Sequence, residues 1–473
     1  MTNRLDEEIT SALGSMIAEA PEPMELDQLA MQAAIATVPR QRRSPLPAIA
    51  VATVVVVVGA ISLLASPRDD SAAPLTTVPA DTPVTATTPP PDLFSSSGWS
   101  RIPYDETVFG EAVMTSVTAG GPGLVAVGTE DSTGAGRGAV WTSPDGIIWS
   151  RTRLGPGSLS NVTVGGPGLV AVGWVRSGDD ESAAVWTSPD GFTWSGVPHD
   201  GNVFGGSEMT SVTAGGPGLV AVGSNGLDAA VWTSPDGFTW SRVPHDETLF
   251  GGAEMNSVTV GGPGLVAVGL INLEPLTPSP QGPDGFVTDA AVWTSSDGFT
   301  WSRVPHDETV FDVEGSQRMN SVIVGGPGLV AVGSDEIDPY AFPYGYAMDA
   351  AVWTSPDGFT WSRVPHDDAV FDAVGGLGVA GGAEMTSVTV GGPGLVAVGE
   401  AGGFAVVWTS SDGILWSPVF RAEHVAQFGD KFEGAVTRMS GVVAGGPGLV
   451  TVGPSANQGG PLRAVVWVVT LED

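Results

Sequence analysis

Apolar residues in this chain come in short blocks separated by polar and turn-forming stretches, and the blocks recur. The phrase Gly-Gly-Pro-Gly-Leu-Val-x-Val-Gly begins at Gly120, Gly165, Gly215, Gly261, Gly325, Gly391 and Gly445. Six of these copies are followed by Val-Trp-Thr-Ser-(Pro/Ser)-Asp-Gly and then a second Trp. A period of roughly 45 to 65 residues with turn signals inside each copy is the mark of a repeat array, and here of a β-propeller.

One copy predicts one blade. Met209–Ala214 alternates and is rich in β-formers, which predicts a first strand. Gly215–Gly218 reads as a turn and Leu219–Val222 as a short buried second strand. A loop over Ser224–Asp228 leads to a third strand, Ala229–Ser234. Pro235-Asp-Gly237 is a tight turn with Gly where a positive φ is expected, and Phe238–Val243 is the fourth strand. The two ends of the array complete each other. The last copy stops after a third strand, Arg463–Glu472, while Gly98–Phe109 matches the fourth-strand segment and the connector after it. The expected fold is therefore all-β: a seven-bladed propeller of four-stranded antiparallel blades over residues 96–473, closed by an N-terminal strand that leaves no open edge.

Ser-Pro-Asp-Gly-Phe-Thr-Trp stands at Ser188–Trp194, Ser234–Trp240 and Ser355–Trp361. Variants stand at Ser143–Trp149, at Ser296–Trp301 and at Ser411–Trp416. This resembles the Asp-box, or bacterial neuraminidase repeat, of sialidase-like propellers, in a form one residue shorter between Asp and Trp. The resemblance covers about residues 96–473 and implies that the box is the turn between the third and fourth strands. Asp145, Asp190, Asp236, Asp297, Asp357 and Asp412 are then structural, each accepting from neighbouring turn amides. One carboxylate per turn is too few oxygens for a firm calcium site.

The family resemblance implies a sialidase, but the residues argue for a non-catalytic variant. A sialidase requires an Arg triad, a Tyr–Glu nucleophile pair and an Asp acid. Here Arg101, Arg242, Arg303 and Arg363 occupy outer-strand positions, some 14 Å outside the innermost strand at about 4.7–4.9 Å per strand. The chain has four Tyr, at 104, 340, 344 and 346. His199-Asp200, His245-Asp246, His306-Asp307 and His366-Asp367 recur after the fourth strand. Each pair starts at the rim of its own blade, so different pairs cannot converge on one ion. The expected role is a turn in which Asp caps backbone amides after Pro, and no metal or cofactor is expected. Met209, Ser211, Met255, Ser257, Met319 and Ser321 are expected to line the channel or pack between blades.

Near-identical repeats encode scaffold, so specificity is sought where copies differ. Leu270–Asp289, Ser334–Asp349 and Phe371–Glu384 are long and unlike the rest, and all belong to one side of one face. They carry the candidate ligand-binding residues Glu274, Asp284, Asp335, Glu336, Asp338, Tyr340, Phe342, Tyr344 and Tyr346, rings among carboxylates suited to a glycan or a protein partner.

Ahead of the array, Ser44–Pro67 has no charged residue and Leu46–Ala65 is mostly apolar, about the length that crosses a bilayer. Arg40, Arg42 and Arg43 precede it, which favours a cytoplasmic N-terminus and an outward-facing array. A cleaved signal peptide is the competing reading, set aside because the 43 residues before the run are long and acidic for an n-region. The expected organisation is a weakly helical cytoplasmic tail (1–43), a transmembrane helix (44–66), a Pro/Thr/Ser-rich stalk (67–95) and the propeller. The net charge of −34, with one Lys and 17 Arg against 52 acids, disfavours nucleic acid and anionic lipid as partners of the array. With no Cys, the fold is held without disulfides. Composition and its Arg-over-Lys bias suggest a bacterial source. The expected function is non-catalytic binding of an envelope or extracellular protein or glycan. Sialidase-like hydrolysis and transmembrane sensing through the tail are the alternatives.

Overall fold

The computed structural model describes residues 98–470, apart from 131–135, 178–179, 273–287, 313–314, 339–346, 373–381, 393, 422–435 and 457–459. The tail, the apolar span 44–66 and the stalk lie outside the described residues. Among the described residues no helix is long and apolar enough to cross a membrane.

Six sheets of four antiparallel strands are joined by a seventh assembled from both ends of the array. The innermost strands (Ala112–Gly120, Ser158–Gly165, Glu208–Gly215, Ala253–Gly261, Gln317–Gly325, Ala383–Gly391 and Gly441–Gly445) neighbour one another around a ring, and the last meets the first. The molecule is a seven-bladed propeller. Its closure is the expected one: Trp99–Arg101 pairs with Arg463–Thr470 through Trp99↔Val469, Ser100↔Val468 and Arg101↔Trp467.

Blade boundaries depart from the sequence reading in two places. In the third blade the second strand runs to Asn225 and the third starts at Asp228, so the expected loop shrinks to Gly226 and Leu227. The outer strand is only Ser241–Arg242, because the residues before it are held in the turn. There Ser234 Oγ accepts from the Gly237 amide at 2.8 Å, and Asp236 Oδ1 accepts from Phe238 and Thr239 at 2.9 and 2.7 Å. Trp240 Nε1 closes it on the Gly237 carbonyl at 2.9 Å. All six turn aspartates accept such paired amides. In the fourth and sixth blades the participating serine is Ser295 and Ser410, one residue earlier than the Ser296 and Ser411 of the sequence reading. The hydroxyl must sit three residues before the Gly amide it accepts from, which the second Ser of each Ser-Ser pair cannot do.

The core lies between blades. Side chains alternate across a strand, and here both faces are covered. Leu219 and Ala221 pack with the second blade, while Val220 and Val222 pack with the fourth. This is why Leu-Val-Ala-Val is an unbroken apolar run. The buried apolar residues form seven such clusters, one at each junction of adjacent blades. The one-turn helix Glu247–Phe250 adds to its junction by burying Phe250, and Leu249 O accepts from Trp293 Nε1 of the next blade at 2.9 Å.

Polar stitches cross the same junctions. The innermost strand skips a register between Met209 and Ser211, a bulge at Thr210. Thr210 Oγ1 donates to Val222 O at 3.1 Å and to Met255 O of the next blade at 2.6 Å. Thr115 and Thr386 do the same for their neighbours, and Asn256 and Asn320 reach across with their amides. Met209, Met255 and Met319 are fully buried. Ser211, Ser257 and Ser321 accept from the Val258, Val322 and Val388 amides of the next blade. These six residues therefore join blades.

The last Gly of the repeated phrase faces this bulge. A Cβ on Gly223 would stand 2.1 Å from the Glu208 carbonyl oxygen. Gly226, in the two-residue turn of the same blade, has φ 68° but nothing within 4 Å of such a Cβ. Gly226→Ala is expected to cost about 1–2 kcal/mol, the ordinary cost of a left-handed non-Gly residue. Gly223→Ala, which forces backbone apart, is expected to cost more than about 4 kcal/mol. Urea unfolding of the two variants checks the order, and equal losses would contradict it.

Candidate functional site at the mouth of the ring

The residue just before each inner Met stands where the innermost strand begins, beside the end of the second strand. Glu208 pairs with Ser224, Glu254 with Leu270, Arg318 with Ser334 and Glu384 with Glu400. With Arg438, these positions place charge around the mouth of the ring, on the face where second-to-third-strand loops and blade-to-blade connections emerge.

Glu384 is the centre of this cluster. Its side chain is buried, and Arg318 and Arg438 reach it at 2.8 and 2.9 Å. Asn320 Nδ2 donates to it at 2.8 Å. The three donors come from the fifth and seventh blades, so Glu384 ties together three consecutive blades. Burial raises the carboxyls of Glu208, Glu254 and Glu400 above their ordinary range. Glu254 raises Glu208 further, and Arg318 and Arg438 oppose the shift at Glu254 and Glu400 respectively. Sequence reasoning missed this cluster. Its signal was the residue before Met, which is Glu, Glu, Arg, Glu and Arg from the third blade to the seventh while the Met itself does not change.

The Arg residues of the outer strands lie where expected. Arg242 and Arg363 sit over Trp232 and Trp353 of their own third strands, with Arg101 over Trp467. Asp335 is buried and forms an ion pair with Arg363, so its carboxylate holds the base of its loop. Glu336 and Asp338 fall on the strand Gly328–Asp338. Glu274, Asp284, Tyr340, Phe342, Tyr344 and Tyr346 lie outside the described residues.

The His-Asp pairs divide into two roles. Asp200, Asp246, Asp307 and Asp367 each cap a one-turn helix by accepting from the amide two residues on. Three of the histidines, His245, His306 and His366, turn to other carboxylates, while His199 packs near the Phe204 ring. His306 Nε2 lies 3.5 Å from Asp289, and His366 Nε2 lies 3.5 Å from Asp349 and 2.8 Å from Asp372. Burial pushes Asp289 up to about 6, with Asp312 adding to it and His306 opposing. Asp349 is pushed up to about 7 by burial and by Asp372, with His366 opposing.

The raised mouth carboxyls have a consequence for stability. A group that holds its proton more tightly when folded stabilises the fold at low pH, and that contribution is lost as pH rises through its native value. The window for Glu208, Glu254 and Glu400 opens near the ordinary Glu value of about 4.3 and extends upward. Replacing Glu254 and Glu400 by Gln is therefore expected to raise unfolding free energy at pH 8 by on the order of 1 kcal/mol and to change it little at pH 4. Chemical unfolding at the two pH values tests this, and a larger gain at pH 4 would contradict it.

No protein-family model matches this chain, and no curated protein matches it. Solved structures similar to it include Sqt1 from Chaetomium thermophilum, 13% identical over 74% of this chain and 83% of that one, with a TM-score of 0.41. The sialidase of Trypanosoma rangeli in complex with sialic acid is 13% identical over 79% of this chain and 59% of its own length, with a TM-score of 0.37. The β-propeller domain of the Trilobed protease from Pyrococcus furiosus is 8% identical over 76% of this chain and 96% of that one, with a TM-score of 0.38.

Proposed function

We propose that this protein is a bacterial propeller of the Asp-box type, anchored by the apolar segment 44–66 and facing outward. In this reading it binds an envelope or extracellular protein or glycan without catalysis. The observation that supports binding over hydrolysis is the use of the inner arginines: Arg318 and Arg438 both converge on Glu384. A sialidase-like site would need a third Arg there and would turn its guanidinium groups toward a substrate carboxylate. It would also need a Tyr–Glu pair. Tyr104, the tyrosine among the described residues, packs at the rim against Phe109 and Arg463.

The ligand contacts in this reading come from the mouth carboxylates Glu208, Glu254 and Glu400 together with Glu274, Asp284, Glu336, Asp338, Tyr340, Phe342, Tyr344 and Tyr346. Asp335 supports them through Arg363. Rings beside carboxylates suit a sugar face with hydroxyls at its edge, or the basic rim of a protein.

The full-length protein, purified in mild detergent, is incubated with labelled envelope glycans and with envelope protein extract, and both retention and released sugar are measured. Retention without product is expected. Replacing Tyr340, Tyr344 and Tyr346 by Ala is expected to weaken retention by more than about tenfold, the loss of one or two anchoring rings. Released sugar would overturn the non-catalytic reading and direct attention to Glu254 and Glu400 as the acid.

A further inference from the structure

Three of the histidines that follow the outer strands meet an aspartate distant in sequence. Their own neighbours, Asp246, Asp307 and Asp367, are occupied in capping helices. The distant partner is the residue four before the third-strand Trp in the same blade: Asp228 for His245, Asp289 for His306 and Asp349 for His366. The closing blade changes both positions, while the second blade keeps the histidine, His199, and changes only the aspartate. In the second blade Ser182 stands at the aspartate position. In the closing blade the pair is Arg463 and Tyr104, with the guanidinium 5.2 Å from the ring centre.

In the fourth and fifth blades a third acid joins from the connector to the next blade. Asp289, His306 and Asp312 each bring one ligand atom within 4.8 Å of the others, and so do Asp349, His366 and Asp372. The 3.5 Å spacing of each His Nε2 from its buried aspartate is long for a hydrogen bond. It is close to the separation of about 3.4 Å between two ligands held about 2.0–2.1 Å from a tetrahedral zinc ion. Asp289 is 2% exposed and Asp349 5%. One buried oxygen of each accepts no hydrogen bond: Asp349 Oδ2, which faces His366, and Asp289 Oδ1, which stands beside the Oδ2 that faces His306. An ionised carboxylate buried without donors is costly, and a bound cation removes that cost. The third blade is built differently. Asp228 there is half-buried and accepts from the Gly252 amide at 3.0 Å, and its third acid, Glu247, is 80% exposed although it reaches His245 Nε2 at 3.0 Å.

We propose that Asp289, His306 and Asp312 bind one divalent cation of the zinc class, and that Asp349, His366 and Asp372 bind a second. An imidazole nitrogen with two carboxylates selects zinc over calcium or magnesium, which take oxygen ligands. Three protein ligands leave the fourth position of a tetrahedral ion to water or to a donor atom of a bound partner. Each ion would pin the start of a third strand, at Asp289 in Thr288–Ser295 or at Asp349 in Ala347–Ser355, to the connector leading to the next blade. The two aspartates are the last residues of the long segments Leu270–Asp289 and Ser334–Asp349, so the pins stand at the base of the segments that differ most among the copies. This inference is independent of the ligand reading above.

Full-length protein is stripped with chelator, exchanged into chelator-free buffer and titrated calorimetrically with zinc chloride, with calcium chloride as the comparison. Saturable uptake of two zinc ions per chain is expected, with an upward shift in thermal unfolding that calcium does not reproduce. Combining Asp289→Asn with Asp349→Asn is expected to weaken zinc binding by more than about tenfold while leaving the circular dichroism unchanged. His306→Gln with His366→Gln, at positions about one-third exposed, is the second pair and is expected to give the same loss if the buried substitutions disturb folding. Failure to saturate near two ions, zinc uptake retained by either folded double variant, or equal binding of calcium would overturn the proposal.

Discussion

Every sheet in this molecule buries both of its faces, and it can do so only against another sheet. Leu219 and Ala221 belong to one core and Val220 and Val222 to the next, so a single run of four residues serves two junctions. No blade owns a core. An isolated copy would expose both of its apolar faces, and a ring missing one copy would expose one on each side of the gap. Closure is therefore the condition under which any blade is stable, and the pairing of Trp99–Arg101 with Arg463–Thr470 supplies it.

The same requirement accounts for the repeated phrases. The bulge at Thr210 lets one side chain bond the next blade, and the glycine opposite it yields the space the bulged backbone takes. At the other end of the blade, a Cβ on Gly237 would come 2.9 Å from Pro167 of the preceding blade. The Pro of one phrase and the Gly of the other are thus two sides of a single contact between neighbours. Their recurrence in the sequence is the trace of one junction built many times.

This explains what could be read from the sequence and what could not. Blade number, strand order and closure were legible because the junction residues repeat. The outer strand was read too long, since Phe238 and Thr239 look like strand residues but spend their amides on Asp236. The turn serine was misplaced in Ser295-Ser296 and Ser410-Ser411, where only hydrogen bonding tells two identical neighbours apart. The adjacent His-Asp pairs drew attention to the wrong aspartate. His366 meets Asp349, 17 residues earlier, through the antiparallel return of the outer strand, a proximity that appears only when the hairpin is folded. The charge around the mouth was hidden because its members, such as Arg318, Glu384 and Arg438, lie one per repeat and converge only in the closed ring.

The closing strand is also where the propeller continues into residues 1–97. Tension arriving along that segment would meet three residue pairs, Trp99↔Val469, Ser100↔Val468 and Arg101↔Trp467, and the bond from the Ile102 amide to Val466 O. Buried Trp99 and the guanidinium of Arg101 over Trp467 add side-chain grip to those few bonds. The strand that completes the ring is then its mechanical fuse: a pull strong enough to peel it away would release the seventh blade first and leave the other six to open after it.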